Sequence, residues 1–467
     1  MQRSRARYGR TLDAIACILH SSEISPPSGV ISMSEHEQGL RLFGKTIPLY
    51  LQILAALVLA VGLGVLLGAG NPSPQNAELA KDLAIPCSLV LKALRALATP
   101  LILLAVLHSF LTTDIPGRSG RRLALILLGN TTVAILIGLF VANVLRPGTW
   151  EKISFAGDAQ GMTKQFDPWG LVESSVPEAV LKPLTDNNVI QLIVVALSFG
   201  IVLRALKSEQ VAAGRSDYRP IEQFITIMFE AVIRILTWVI MLVPIAVFGI
   251  VASTVTLKGF APFKALAAFI IAVLLALFLQ GCYYLLRVRL GSWVKPRLFL
   301  AGASDALTTA FSTASSTATM PITFRGLIDK VGLRESSASL GALVGSNFNN
   351  DGTALYEAMS ALFIAQILGL NLNLEQQLIV VLTSIFASVG AAGIPEAGLV
   401  TMTLVFTAVG LPTQYIALLI TVDWFLDRCR TCINVMGDMT VSCLLDGKEP
   451  KLAMEPALEE AFVSEVD

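Results

Sequence analysis

Within the sixteen residues from Asp423 to Asp438, an otherwise apolar stretch carries Asp423, Asp427, Arg428, Arg430, Asn434 and Asp438. A charge inside a membrane span costs about 3 kcal/mol on insertion scales, so groups of this kind face a protein interior or a pathway. At about 100° per residue, Asp423, Asp427, Arg430, Thr431, Asn434 and Asp438 share one helical stripe, and Cys429 and Cys432 point away from it. That stripe must face something hydrophilic, with Arg430 as its contact for an anion. The structural alternative is a ladder of internal ion pairs, the role expected of Glu230 and Arg234 one turn apart in an upstream segment.

A second concentration of oxygen ligands, Asn347-Phe348-Asn349-Asn350-Asp351-Gly352-Thr353, interrupts the apolar segment that begins near residue 334. Asn, Asp and Gly are poor helix formers, and broken backbone at membrane depth is tolerated only where it lines a cavity. Unwound carbonyls with carboxamide and carboxylate oxygens make a site for hard cations, and Asn349, Asp351, Asn434 and Asp438 are its candidate ligands. Tyr356 and Glu357 follow about one turn later. A glutamate in such dry surroundings is a candidate proton carrier.

Two more segments have polar or glycine-rich centres between short apolar arms. Half of the twenty residues from Ser304 to Thr323 are Ser or Thr, and a second segment runs from Ala387 to Gly398 with Pro395 near its centre. Neither arm of either segment is long enough to span about 30 Å of hydrocarbon. Each is expected to form a re-entrant helical hairpin whose tip attracts anions at its helix amino termini. The order hairpin, broken helix, hairpin, polar helix is a weak internal duplication, of the kind that secondary transporters carry as inverted repeats.

The elements that must position these groups are long and oily. Of 467 residues, 54% are hydrophobic and 15% charged, against about 25% charged in soluble domains. Lys plus Arg and Asp plus Glu total 34 each, and that zero net charge excludes nucleic acid as a partner. The expected fold class is an all-α polytopic membrane protein, with eight transmembrane helices plus two re-entrant helical hairpins. The spans are placed at 46–69, 84–113, 121–145, 188–206, 219–252, 262–288, 334–372 and 412–446.

Basic residues set the orientation. Arg118, Arg121 and Arg122 follow the second span, Arg204, Lys207, Arg215 and Arg219 the fourth, and Arg287, Arg289, Lys295 and Arg297 the sixth. By the excess of positive charge on cytoplasmic loops, both termini lie in the cytoplasm of a plasma (inner) membrane. Residues 1–44 are read as a cytoplasmic tail, with an Arg-rich targeting peptide as the alternative for residues 1–40; 146–187 is read as an external loop and 447–467 as an acidic tail. Cys429 and Cys432 lack a second ligand pair, and His20, His36 and His108 all lie in the first quarter of the chain. Zinc sites and His-based triads therefore have no material here, and neither a cofactor nor an enzyme activity is expected.

In Ser315–Thr323, Asn349–Glu357, Gly390–Val400 and Val422–Asp438 the chain resembles the glutamate/aspartate (dicarboxylate/amino acid):cation symporter family, which includes the excitatory amino-acid transporters. The resemblance implies secondary active uptake of acidic amino acids with co-transported Na+, H+ or both, by an elevator-type movement in a homotrimer. A scaffold at about 45–113 and 188–252 would carry a transport part at about 121–145 and 262–446. Arg430 would bind the substrate's side-chain carboxylate, Asp427 its ammonium group, and Thr353, Thr431 and Asn434 its other polar atoms. Ser315 and Ser316, with Val389, Ala392 and Gly393, would hold the main carboxylate. Gly345, Asn349, Asn434 and Asp438 would form one complete Na+ site. Asn347, Asp351, Asn130, Thr131, Ser388, Val389 and Ala391 are the further cation positions, and Glu357 matches a proton-carrying glutamate.

Departures bear on the coupling ion. Asn350 stands where most relatives have Met, Asn347 where they have Thr, and Leu127 where a Tyr helps to bind sodium. Ala314 takes the place of an Arg at the first hairpin tip, an exchange that in other members accompanies an arginine at the position of Arg428. A plain C4-dicarboxylate would leave Asp427 unpaired and a neutral amino acid would leave Arg430 unpaired, so an acidic amino acid is favoured. The alternative within the family is a C4-dicarboxylate or neutral amino-acid carrier. Outside it, the alternatives are a non-transporting sensor or an embedded hydrolase, although no base adjoins a nucleophile.

Overall fold

The computed structural model describes residues 40–42, 45–112, 117–151, 173, 176–186, 188–390 and 397–449. The amino-terminal tail before residue 40, most of the expected external loop and the acidic tail after residue 449 lie outside the described residues. Among the described residues the fold is all-helical apart from one antiparallel ribbon, β1 (Leu40–Leu42) with β2 (Lys45–Ile47), in which Leu40 pairs with Ile47. That ribbon straddles the border placed at residue 44, where the sequence reading has no strand.

The first nine helices are α1 (Leu49–Leu66), α2 (Pro74–Leu83), α3 (Ile85–Thr112), α4 (Gly117–Leu145), α5 (Lys182–Asp186), α6 (Val189–Ala212), α7 (Arg219–Ile240), α8 (Val243–Lys258) and α9 (Ala261–Gly291). Helix α2 is an addition to the expected set. Its residues are too polar to read as a span, but Pro74 opens it and the Ser73 hydroxyl accepts from Asn76 N–H at 3.3 Å, a proline-led and capped start. The span expected at 219–252 is two helices. The chain turns at Met241 and Leu242, and Pro244 sits in the first turn of α8, where its missing N–H costs nothing.

Among the described residues, six stretches are long and apolar enough to cross a membrane: Leu49–Leu66, Pro74–Thr112, Gly120–Thr149, Gln191–Ala212, Arg219–Lys258 and Ala261–Gly291. Of the eight expected spans, the seventh is broken into short pieces and the eighth carries the charged stripe. The molecule is inverted relative to a soluble protein. Leu66, Trp238 and Phe278 are 83%, 65% and 67% exposed, whereas Asp351, Glu357 and Arg430 are fully buried, the distribution a hydrocarbon solvent demands.

After α9 the chain forms α10 (Pro296–Thr313) and α11 (Ser316–Arg325), joined by two residues. Ala314 takes the left-handed conformation at φ 51°, and Ser315 caps α11 by accepting from Ala318 N–H at 3.1 Å. Then come α12 (Glu335–Ser339), a wide turn over Leu340–Val344, and α13 (Gly345–Phe348). The helix breaks at Asn349 (φ −100°, ψ 75°) and Asn350 (φ −104°, ψ 49°) and resumes as α14 (Asp351–Ile367). Helices α15 (Leu374–Gly390) and α16 (Ala397–Ala408) pack against each other where a second hairpin is expected, and α17 (Ile416–Asp446) is the last helix of the described residues.

Two groups of helices pack chiefly among themselves. One contains α1, α2, α3, α6, α7 and α8; the other gathers α4 and everything from α9 onward around α14 and α17, with α15 and α16 also touching α3, α15 touching α6, and α17 touching α1, α3 and α8. The wide turn before the break lies hard against α17. A Cβ added at Gly341 would sit 1.9 Å from Ser442 Oγ and 2.6 Å from Ser442 N. Gly341→Ala is therefore expected to push the broken helix off α17 and destabilise the protein by about 1–3 kcal/mol. A melting temperature in detergent equal to that of the parent would contradict this packing.

Candidate functional site

The stripe on α17 is buried along its length: Asp423, Asp427, Arg430, Thr431, Asn434 and Asp438 are all shielded, and Cys429 and Cys432 are half-buried free thiols. Arg430 donates through Nη1 to Asp423 Oδ1 and through Nη2 to Asp427 Oδ1, each at 2.7 Å. Its guanidinium lies over the Tyr356 ring, 4.0 Å from the centroid, so the flat face of the cation is covered by an aromatic quadrupole. Thr431 donates to the Asp427 carbonyl at 2.8 Å. The residue expected from the sequence as an anion contact is thus itself held in internal ion pairs. Asp423, which that reading left without a role, is the second partner of Arg430. The pair assumed for Glu230 and Arg234 does not form; on that side of the protein Lys207 of α6 meets Glu222 of α7 at 2.8 Å.

One turn below, α17 closes on the broken helix. Asn434 accepts from Gly352 N–H at 2.8 Å and donates to Thr353 Oγ1 at 3.3 Å and Asn350 Oδ1 at 3.4 Å. One carboxamide therefore takes a backbone donor that the new helix start leaves without an intrahelical partner. Asn349 donates to the Asn434 carbonyl and to Asp438 Oδ1, each at 3.1 Å, while its own Oδ1 is buried with no partner. Gly345 lies against the same carboxylate, since a Cβ there would fall 2.6 Å from Asp438 Oδ1. Gly345, Asn349, Asn434 and Asp438 are thus gathered, with a spare buried carboxamide oxygen of the kind a hard cation takes.

Asp351 belongs to a neighbouring network. Thr131 of α4 donates to its Oδ1 at 2.6 Å, and Tyr284 of α9 donates to its Oδ2. Asn130 is fully buried, and its Oδ1 accepts from Arg287. Asn347 is not brought into either network. It is only half-buried, and its amide donates to the Leu343 carbonyl one turn back on its own helix at 3.3 Å. The reason is angular: Asn347 precedes the break, and the helical path that carries Gly345 onto Asp438 carries residue 347 off that face.

The hairpin arms meet the same centre. Ser316 donates to the Ser346 carbonyl at 3.1 Å, and Asn350 donates to the Ser388 carbonyl at 3.1 Å. Thr401 of α16 donates to Glu357 Oε1, and Glu357 Oε2 is buried without a partner. Arg428 donates to the carbonyls of Phe311 and Ser312 at the carboxyl end of α10, where a cation satisfies otherwise unpaired acceptors. Ala391, Ala392 and Gly393 lie outside the described residues, as does the side chain of Val389. Residues missed at the sequence level are Thr401, Tyr284 and Arg287. Gln280, Tyr284 and Arg287 recur at helical spacing within an apolar span, and that polar face was a readable signal.

The comparisons with known proteins agree over most of the chain. A model described as the sodium:dicarboxylate symporter family matches residues 49–448. Excitatory amino acid transporter 4 of Mus musculus is 30% identical over 471 residues, covering 83% of this chain and 82% of the relative. An excitatory amino acid transporter of Caenorhabditis elegans is 31% identical over 437 residues, covering 82% and 84%. Excitatory amino acid transporter 1 of Homo sapiens is 38% identical over 258 residues, covering 54% and 45%. These relatives are transporters rather than enzymes. With its oxygen-rich broken helix and buried arginine inside the matched region, the chain belongs to the sodium:dicarboxylate symporter family.

Proposed function

We propose that the chain is a secondary active symporter that takes up glutamate or aspartate with co-transported Na+, H+ or both. The observation that carries the reading is the double pairing of buried Arg430 by Asp423 and Asp427. A substrate side-chain carboxylate that displaces Asp427 from Nη2 leaves Arg430 held by Asp423 and presents Asp427 to the substrate's ammonium group. Both new contacts are charge-assisted, and no ion is stranded in the exchange. A C4-dicarboxylate makes the first contact and abandons Asp427, which is the physical ground for preferring an amino acid. Thr353, Thr431 and Asn434 line the same face and are assigned to the substrate's remaining polar atoms. The main carboxylate is assigned to Ser315, Ser316 and the second hairpin tip around Val389, Ala392 and Gly393.

Gly345, Asn349, Asn434 and Asp438 are the assigned Na+ ligands, with Ser388 and Ala391 as further cation positions. Glu357 is assigned the proton. Each cation moved inward along the membrane potential gains about 2.3 kcal/mol per 100 mV. The segregation of α1, α2, α3, α6, α7 and α8 from the remaining helices supports an elevator, in which the second group moves past the first as two hairpins and four spans. A homotrimer in a plasma (inner) membrane, with both termini cytoplasmic, completes the reading.

Uptake into proteoliposomes of labelled aspartate, glutamate and succinate, with Na+ and pH gradients imposed separately, tests it. Aspartate or glutamate is expected to be taken up in preference to succinate, and the reverse order would remove Asp427 as the ammonium partner. In Arg430→Cys, competition by aspartate is expected to weaken by about 100-fold while neutral amino acids gain entry. Unchanged competition would strip Arg430 of its role. Glu357→Gln is expected to flatten the rise in uptake that external acidification produces in the parent, and a surviving pH profile would exclude Glu357 as the carrier.

A further inference from the structure

The Asp351 carboxylate is fully buried, and both its oxygens accept from hydroxyl groups, Thr131 on one and Tyr284 on the other. Beside Thr131, the carbonyl oxygen of Asn130 accepts from Nη1 of Arg287, three residues beyond Tyr284 on α9. The same nitrogen donates to Tyr283 at 3.3 Å, and the guanidinium stands over the Tyr283 ring, 5.7 Å from its centroid. Arg287 is therefore held by Asn130 and Tyr283, the chain neighbours of the Thr131 and Tyr284 that donate to Asp351. Amide, hydroxyl and carboxylate oxygens are what a hard cation binds, yet here the Asn130 oxygen is taken by a guanidinium. One turn before Thr131, Leu127 adds only an apolar side chain. A carboxylate removed from water needs a countercharge, and this one has a permanent positive group fixed on the residues adjacent in sequence to its two donors.

We propose that Arg287 is a tethered cation: held on Asn130, its guanidinium takes the place at Asp351 of one exchangeable cation. The inference rests on the symport reading and specifies its coupling, with one cation fewer moved per substrate than a neutral residue at 287 would allow. A tethered charge travels out and back with the protein and adds no driving force, whereas an exchangeable one adds its whole gradient.

The full chain is reconstituted in liposomes as the parent, Arg287→Gln and Arg287→Lys, and steady-state accumulation of labelled aspartate is read under a tenfold sodium gradient at zero potential. One additional coupled sodium ion raises the limiting accumulation ratio by about tenfold. Arg287→Gln is expected to show that rise, and Arg287→Lys, which keeps the charge, to match the parent. An unchanged ratio in Arg287→Gln overturns the inference. Melting of the detergent-solubilised proteins in sodium against choline supplies a readout that needs no substrate. Arg287→Gln is expected to gain a larger sodium-dependent rise than the parent, and equal rises overturn the inference. If Arg287→Gln yields no folded protein, the double variant with Asp351→Asn decides: recovery supports a charge pair, and no recovery refutes it. A parent that takes up no acidic amino acid fails the symport reading and leaves Arg287 to the melting comparison.

Discussion

A guanidinium taken wholly out of water in the middle of α17 sets the terms for the rest of the interior. Removing an ion of that size from water costs several kcal/mol even after relaxation, and only near-ideal pairing offsets it. Asp427, three residues before Arg430, and Asp423, seven before it, lie on the same helical face and each accepts at 2.7 Å. The remaining flat side needs a cover that is neither water nor lipid, and Tyr356 supplies it. That requirement orients α14. With Tyr356 on Arg430, Glu357 is turned about 100° further round, where Thr401 of α16 meets it. The second hairpin is thereby tied to the arginine through two side chains of one helix.

The break before α14 follows from the same packing. An unbroken helix there would have its backbone groups satisfied internally and none left to bind anything. Breaking it at Asn349 and Asn350 frees donors and acceptors at membrane depth, where each unsatisfied group costs several kcal/mol. Asn434 of α17 takes one of them by accepting from Gly352 N–H, while the side-chain amides of Asn349 and Asn350 donate to Asp438 and to the Ser388 carbonyl of α15. The helix that holds the arginine also stabilises the break.

Much of this was legible in the sequence because its physics is local. The stripe on α17 follows from helical periodicity, and the break follows from four Asn and Asp residues in a segment that must otherwise exclude them. The partners were not legible. Nothing local says that Asp423, two turns from Arg430, bends to it at the same time as Asp427, or that Thr131 of α4 reaches a residue 220 positions away. Asn347 stands apart: its type fits a cation site, but its amide donates to the Leu343 carbonyl on its own helix and its side chain is half-buried. Helix α2 and the turn at Met241 went unread because polarity and a proline, rather than apolar length, mark them.

The inventory of buried charge argues that coupling answers an electrostatic problem. Glu357, Asp423, Asp427 and Asp438 lie within α14 and α17 and are nearly or fully buried, and Arg430 is the one fully buried basic residue among the described residues. An acidic amino acid brings one further net negative charge. On the proposed function, substrate binding alone deepens an excess of negative charge that a low-dielectric interior tolerates poorly. Cations or protons that enter with the substrate correct that excess, and their departure restores it, so a loaded carrier without them is the costly state. Co-transport then needs no separate device to forbid substrate from crossing alone, because the uncompensated acids already make that crossing unfavourable.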